Sequence, residues 1–99
     1  MAKLIITYWR DIPAQVVASE RRDKAKLLLS DRFAIAIDKA AMRADMAGSD
    51  EYLEQWRKKI VKCSADLQLE VDNAALKLET DYPNDRLTVL VTNKGQELV

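Results

Sequence analysis

The rhythm of apolar positions along the chain changes near residue 20. Between residues 3 and 9, Leu4, Ile6 and Tyr8 fall on one side of an extended backbone and Ile5, Thr7 and Trp9 on the other. That is a period of two in residues that favour strands. Both sides are largely apolar, which predicts a strand covered on one face and partly shielded on the other. Arg10-Asp11-Ile12-Pro13 interrupts it. Proline cannot donate to a ladder and Asp11 can hydrogen-bond the backbone just ahead, so a turn is expected over these four residues. Ala14 to Ser19 resumes the extended pattern, with Val16 and Val17 pointing to opposite faces. Residues 3 to 20 therefore predict a β-hairpin, and since two strands alone are marginal in water, helices must pack on it.

From about Asp23 the period becomes helical. Ala25, Leu28, Leu29, Phe33, Ala36, Ile37, Ala40, Ala41 and Ala44 form one stripe that only Arg32 interrupts, the pattern of an amphipathic helix. A break at Ser30-Asp31 is allowed, because both residues cap well. Gly48 stands where a left-handed C-cap is expected. Ser49 then predicts an N-cap, followed by Asp50 and Glu51 at the positive end of a second helix with Tyr52, Leu53, Trp56 and Ile60 on its apolar side. Lys59 to Cys63 reads equally as a short third strand or as a connection. Ser64 is expected to cap the next helix, with the stripe Leu67, Val71, Ala74, Ala75 and Leu78, ending at Tyr82-Pro83. Asn84 as a cap favours a short final helix over residues 87–91, although Thr88 and Val89 also suit a strand.

The expectation is a single α+β domain over residues 1–99: an N-terminal β-hairpin, or a small sheet built on it, packed against three or four α-helices. Composition agrees, with 48% hydrophobic residues and only two Gly and two Pro among 99 positions, a globular balance. No apolar run approaches the roughly 20 residues of a membrane helix. The opening stretch also lacks the length and cleavage site of a secretory signal. The expected compartment is cytoplasmic, with no membrane contact.

The inventory of side chains excludes several chemistries. There is no His, which removes His-based triads, His-bearing zinc sites and imidazole pH switches. The one Cys, Cys63, cannot form an internal disulfide. Two glycines cannot build a phosphate-cradling loop, and no metal-ligand spacing occurs. No catalytic residue, cofactor or metal is predicted. Cys63 is the one soft nucleophile; Lys62 beside it and the helix start at Ser64 could favour its thiolate, but without His it has no usual base, and a small, inert, partly buried residue is expected. Sixteen Lys plus Arg balance sixteen Asp plus Glu, which argues against a general polyanion binder. The basic group Arg21, Arg22, Lys24 and Lys26, joined by Lys58, Lys59 and Lys62, could touch phosphates, but Glu20 and Asp23 sit inside it and no aromatics interleave it.

The densest chemistry is Tyr8-Trp9-Arg10-Asp11-Ile12-Pro13. Aromatic and Arg residues dominate interaction hot spots, so Tyr8, Trp9, Arg10 and Asp11 are candidate protein-binding residues; the same aromatics could instead roof a small core. Arg32, alone on an apolar helix face, is the other candidate, as an anion-binding residue or as a side chain reaching a carboxylate at the core's edge.

The opening Ala2-Lys3-Leu4-Ile5-Ile6-Thr7-Tyr8-Trp9-Arg10-Asp11-Ile12-Pro13-Ala14-Gln15-Val16 resembles a family of small bacterial proteins bearing the label virulence factor domain. Phe33, Ala36-Ile37-Asp38, Ala40-Ala41-Met42-Arg43, Gly48 to Arg57 and Asp81-Tyr82-Pro83 carry further parts of the resemblance. The family brings no catalytic residues. Its members' association with folate- and corrinoid-dependent methyl transfer implies a non-enzymatic accessory or interaction protein. A small enzyme or catalytic subunit of one-carbon metabolism is the alternative, and a weak nucleic-acid binder a second one. A protein partner, such as a methyl-transfer or corrinoid protein, or self-association through the hairpin edge and Tyr8–Trp9, is expected; nucleic acid is disfavoured.

Overall fold

Four strands, rather than two, organise the molecule. A computed structural model describes residues 2–46 and 48–97. Its strands β1 (Lys3–Trp9), β2 (Ile12–Glu20), β3 (Asp23–Leu28) and β4 (Trp56–Lys62) form one antiparallel sheet in the order β3-β2-β1-β4. The helices are α1 (Asp31–Arg43), α2 (Asp50–Glu54), α3 (Leu67–Asp81) and α4 (Asn84–Thr92). The α+β expectation holds, with the hairpin β1–β2 at the centre of a sheet.

Several local expectations need correction. Asp23 to Leu28 is a strand and not the start of a helix. Ala25 and Leu27 pack against the core while Lys24, Lys26 and Leu28 are exposed, so period two outcompetes the helical reading, and α1 begins only after the break at Ser30. The hairpin turn is just Arg10-Asp11, with Arg10 at φ 53°. Pro13 lies inside β2, where the register with β1 shifts at a bulge between Thr7 and Tyr8. Its missing N–H costs no β3 partner, because that pairing starts at Gln15↔Leu28. Trp56 and Ile60 leave the expected second helix for β4, which pairs along the whole of β1 and settles the ambiguous Lys59 to Cys63 segment as strand and strand exit.

Helix ends also differ in detail. Asp66, not Ser64, caps α3, its carboxylate accepting from the Leu69 N–H at 3.3 Å. Asp45 rather than Gly48 takes the left-handed position after α1, at φ 58°. Met46 N then reaches Ala41 O at 2.9 Å and Asp45 N reaches Met42 O at 3.1 Å, a Schellman closure that a glycine usually makes. The final segment is helical, as Asn84 suggests, with Leu87 and Leu90 buried.

The core joins Val16 and Ala18 of β2 to Val71, Ala75 and Leu78 of α3, and Ile12 and Trp9 to Phe33, Ala36, Ile37, Leu87 and Leu90. Helix α3 crosses β2 and β3, while α1 packs on β2 and α4. Each fully buried large side chain here contributes about 1.5–3 kcal/mol. One face of the sheet receives α3, and on the opposite face the hollow over Lys3, Ile5, Thr7 and Val17 is lined by no helix residue.

Candidate functional site

The hairpin turn is bound on all sides by its own chain. Trp9 is fully buried; its indole N–H donates to Tyr52 O at 2.9 Å, and the two rings lie 5.7 Å apart. The ring's other neighbour is Gly95, where a Cβ would stand 2.8 Å from Cζ3 of Trp9. Gly95 follows α4 with φ 89°, in a second Schellman closure in which its N–H donates to Leu90 O at 2.7 Å. Arg10 donates through Nε to Gln55 at 3.2 Å and through Nη1 to Lys94 O at 2.9 Å. The Asp11 N–H donates to Gly95 O at 2.9 Å. Its carboxylate accepts from Glu97 N at 2.6 Å and Arg57 Nη2 at 3.1 Å. Arg57 also lies 4.6 Å over the ring of Tyr8, whose pKa burial raises despite the lowering influence of Arg57. Trp9, Arg10 and Asp11 thus tie the hairpin to the α2–β4 junction and to the segment after α4, and leave no open aromatic surface at the turn.

Arg32 is engaged in the same way. Nη2 donates to Glu79 O at 2.7 Å and Glu79 Oε1 at 3.0 Å, and Nη1 donates to Tyr82 O. These acceptors lie at the C-terminal end of α3, whose last carbonyls need donors. Ser30 completes the cluster, with N and Oγ at 2.7 and 2.8 Å from the Glu79 carboxylate. Burial raises the Glu79 pKa, but the Ser30 and Arg32 hydrogen bonds outweigh it and the net shift is downward. The guanidinium is a helix-end clamp.

Cys63 is half-buried and is not an activated thiol. Burial, then the charge and hydrogen bond of Glu70, push its pKa up. Glu70 folds back over the approach to α3, its Oε2 accepting from Ser64 N at 3.0 Å, and the charge of Glu20 acts on the thiol in the same direction. On the helix side a groove of about 510 Å³ runs between α3 and the inner surface of β1 and β4, lined by Leu4, Ile6, Tyr8, Val61, Lys77 and Tyr82 among others. It brings together no nucleophile–base pair. Among the described residues no group of His, Cys, Asp and Glu could hold a metal ion, and no helix is long and apolar enough to cross a membrane.

The open face of the sheet is different in kind. Strand pairing sets Lys24, Ser19, Lys3 and Lys62 in one row, then Lys26, Val17, Ile5 and Ile60, then Leu28, Gln15, Thr7 and Lys58. Lysines of the two outer strands stand on both margins of a floor of aliphatic, hydroxyl and amide groups. A hollow of about 580 Å³ lies over that floor, with Arg21 at its rim and no helix residue in its lining. Glu20 and Asp23, which break the basic run in sequence, pair with each other and alternate onto the opposite face. Lys59 also alternates away, into the groove beside α3. Lys24, Lys26, Lys58 and Lys62 are brought together as a group; Lys3 joins them unforeseen. The signal for the group was present in the alternation of Lys24 and Lys26 with Ala25 and Leu27, and in the spacing by two of Lys58, Ile60 and Lys62, once those segments are read as strands.

Residues 7–91 match the profile of a family described as virulence factor. No curated protein and no solved structure matches the chain.

Proposed function

The chain belongs to the virulence factor family, and on that premise we propose that it is a non-enzymatic interaction domain whose docking surface is the open, lysine-margined face of its sheet. One observation carries this reading: a four-stranded sheet with α3 on one side sets Lys3, Lys24, Lys26, Lys58 and Lys62 on the other, with no carboxylate and no helix residue lining the hollow over it. An antiparallel sheet tolerates one solvated face, but an alternation of like charges around exposed Ile60 is not what solubility alone requires. The nucleic-acid alternative is less well supported, because the face offers no aromatic platform for bases and its cations are lysines without the bidentate fork of arginine. An accessory role in the cytoplasm, beside a folate- or corrinoid-dependent methyl-transfer protein, is the first partnership to test.

The experiment is crosslinking in the native host followed by affinity capture, run in parallel with wild type and with Lys3→Glu/Lys58→Glu. The expected result is a set of proteins, a methyl-transfer or corrinoid protein among them, held by wild type and lost by the variant. Equal capture by both would rule out the open face as the docking surface.

A further inference from the structure

A second unpartnered surface lies on the far side of the molecule. Along the outward side of α3, Leu69 and Leu76 are 51% and 67% exposed. Seven residues apart, they form a short apolar stripe. Asp72 flanks it on one side and Asp66, at the cap, on the other; both are exposed. The outward side of α1 also exposes apolar groups, Ile35 and Met42, but Lys39 and Arg43 share it, so it carries both signs of charge. Among the described residues α3 is the helix that pairs an apolar stripe with an acidic sequence, four carboxylates to one lysine over Leu67–Asp81, of which Glu70 and Glu79 are engaged within the fold.

Resting on the reading of the open face as a docking surface, we propose that its occupant is α3 of a second copy of this chain, packed head to tail. The dimensions agree. The outer strands of the sheet stand about 14 Å apart, which admits one helix of about 10 Å diameter between the lysine margins. The fifteen residues of α3 span about 22 Å, and the seven of β1 about 23 Å. Lying along the strands, the helix would set one of Leu69 and Leu76 over Val17 and Ile5, with Asp66 and Asp72 toward the lysines on either margin. The face cannot pair with itself, because that would set lysine against lysine. The contact is therefore heterologous, using two different surfaces of each copy.

Heterologous contact makes a demanding test. Sedimentation velocity on the whole protein at low and high salt is run for wild type, for the face variant Lys3→Glu/Lys58→Glu and for the helix variant Leu69→Gln/Leu76→Gln. Circular dichroism checks that each is folded. Wild type is expected to form species larger than monomer as concentration rises, with association weakened about tenfold or more at high salt. Each variant alone is expected to be monomeric. Mixed, each variant supplies the surface the other lacks, so the mixture is expected to give a dimer and nothing larger. A wild type that stays monomeric at low salt, or a mixture without dimer, would overturn the proposal. If wild type is monomeric yet captures a foreign protein that the face variant loses, self-docking fails and the docking face stands. If the face variant keeps every partner, both fall.

Discussion

The hairpin turn and the open sheet face are opposites in sequence and in structure. The turn collects two aromatics, an arginine and an aspartate within Tyr8 to Asp11, and the fold engages these side chains internally. The sheet face is assembled from scattered lysines and small aliphatic residues, and it stays exposed. The comparison teaches that conspicuous side chains in a small domain are first needed by the fold. A chain of this length has little core, and a buried indole with a bonded N–H secures more of it than any aliphatic side chain. A docking surface needs only placement, which period-two alternation supplies from ordinary residues.

The contrast can be broken most forcefully at Trp9. Replacing it with Ala removes the ring that holds Tyr52 and Gly95 together and is expected to cost about 3–5 kcal/mol, measured by urea denaturation. If the loss were below about 1 kcal/mol, the turn would not be the structural anchor described. A smaller effect is expected at Gly95, where φ is 89° and an added Cβ meets the Trp9 ring at 2.8 Å. Gly95→Ala is expected to destabilise by about 1–3 kcal/mol and to shift tryptophan emission, since the crowded indole must move. Unchanged emission and stability would show that the segment after α4 does not press on Trp9.

Next comes pH, acting on the Arg32 cluster. The Glu79 pKa is lowered in the folded protein, so its ionised carboxylate contributes stability that is full above the ordinary glutamate pKa of about 4.3. That contribution disappears as pH falls through the lower folded value. Glu79→Gln is expected to be less stable than wild type at pH 7, with the gap narrowing as the solution is acidified below the ordinary carboxylate range. Denaturation midpoints at several pH values measure it, and a gap independent of pH would contradict the charged clamp. Lysine reactivity on the open face is expected to stay the same in this variant, because Arg32 and Glu79 contribute nothing to that surface.

Much of the architecture was legible because periodicity reports burial. The alternation in Lys3–Trp9 reappears, as do the α1 stripe from Phe33 to Ala41 and the α3 stripe at Val71, Ala75 and Leu78. What was not legible had competing periods. Asp23 to Leu29 offers Ala25, Leu28 and Leu29 to a helix but Ala25, Leu27 and Leu29 to a strand, and only pairing with β2 decides between them. β4 was hidden in the same way, since Trp56 and Ile60 are also one helical turn apart. The site followed the strands. Read as a helix, Lys24 and Lys26 have Asp23 among their neighbours; read as a strand, they have it behind them. Arg32 and Asp11 were visible as unusual, but their partners lie 47 and 86 positions away, beyond any local pattern.

The smallest expected effect is the sharpest, because stability and docking should move in opposite directions. Lys3 stands directly across the ladder from Lys62, and like charges in that position repel on neighbouring strands. Lys3→Glu converts the repulsion into an attraction and is expected to stabilise the fold by a few tenths to about 1 kcal/mol, an effect that salt should diminish. A lysine kept for the fold would not behave this way, since its replacement would be neutral or harmful. The same substitution places a carboxylate in the row that is to receive an acidic helix, so association is expected to weaken. Thermal denaturation and sedimentation of the single variant therefore decide the matter together. A gain in stability with a loss of association means that the open face holds a mutual repulsion for the sake of what binds there, whereas a loss of both would return Lys3 to the fold.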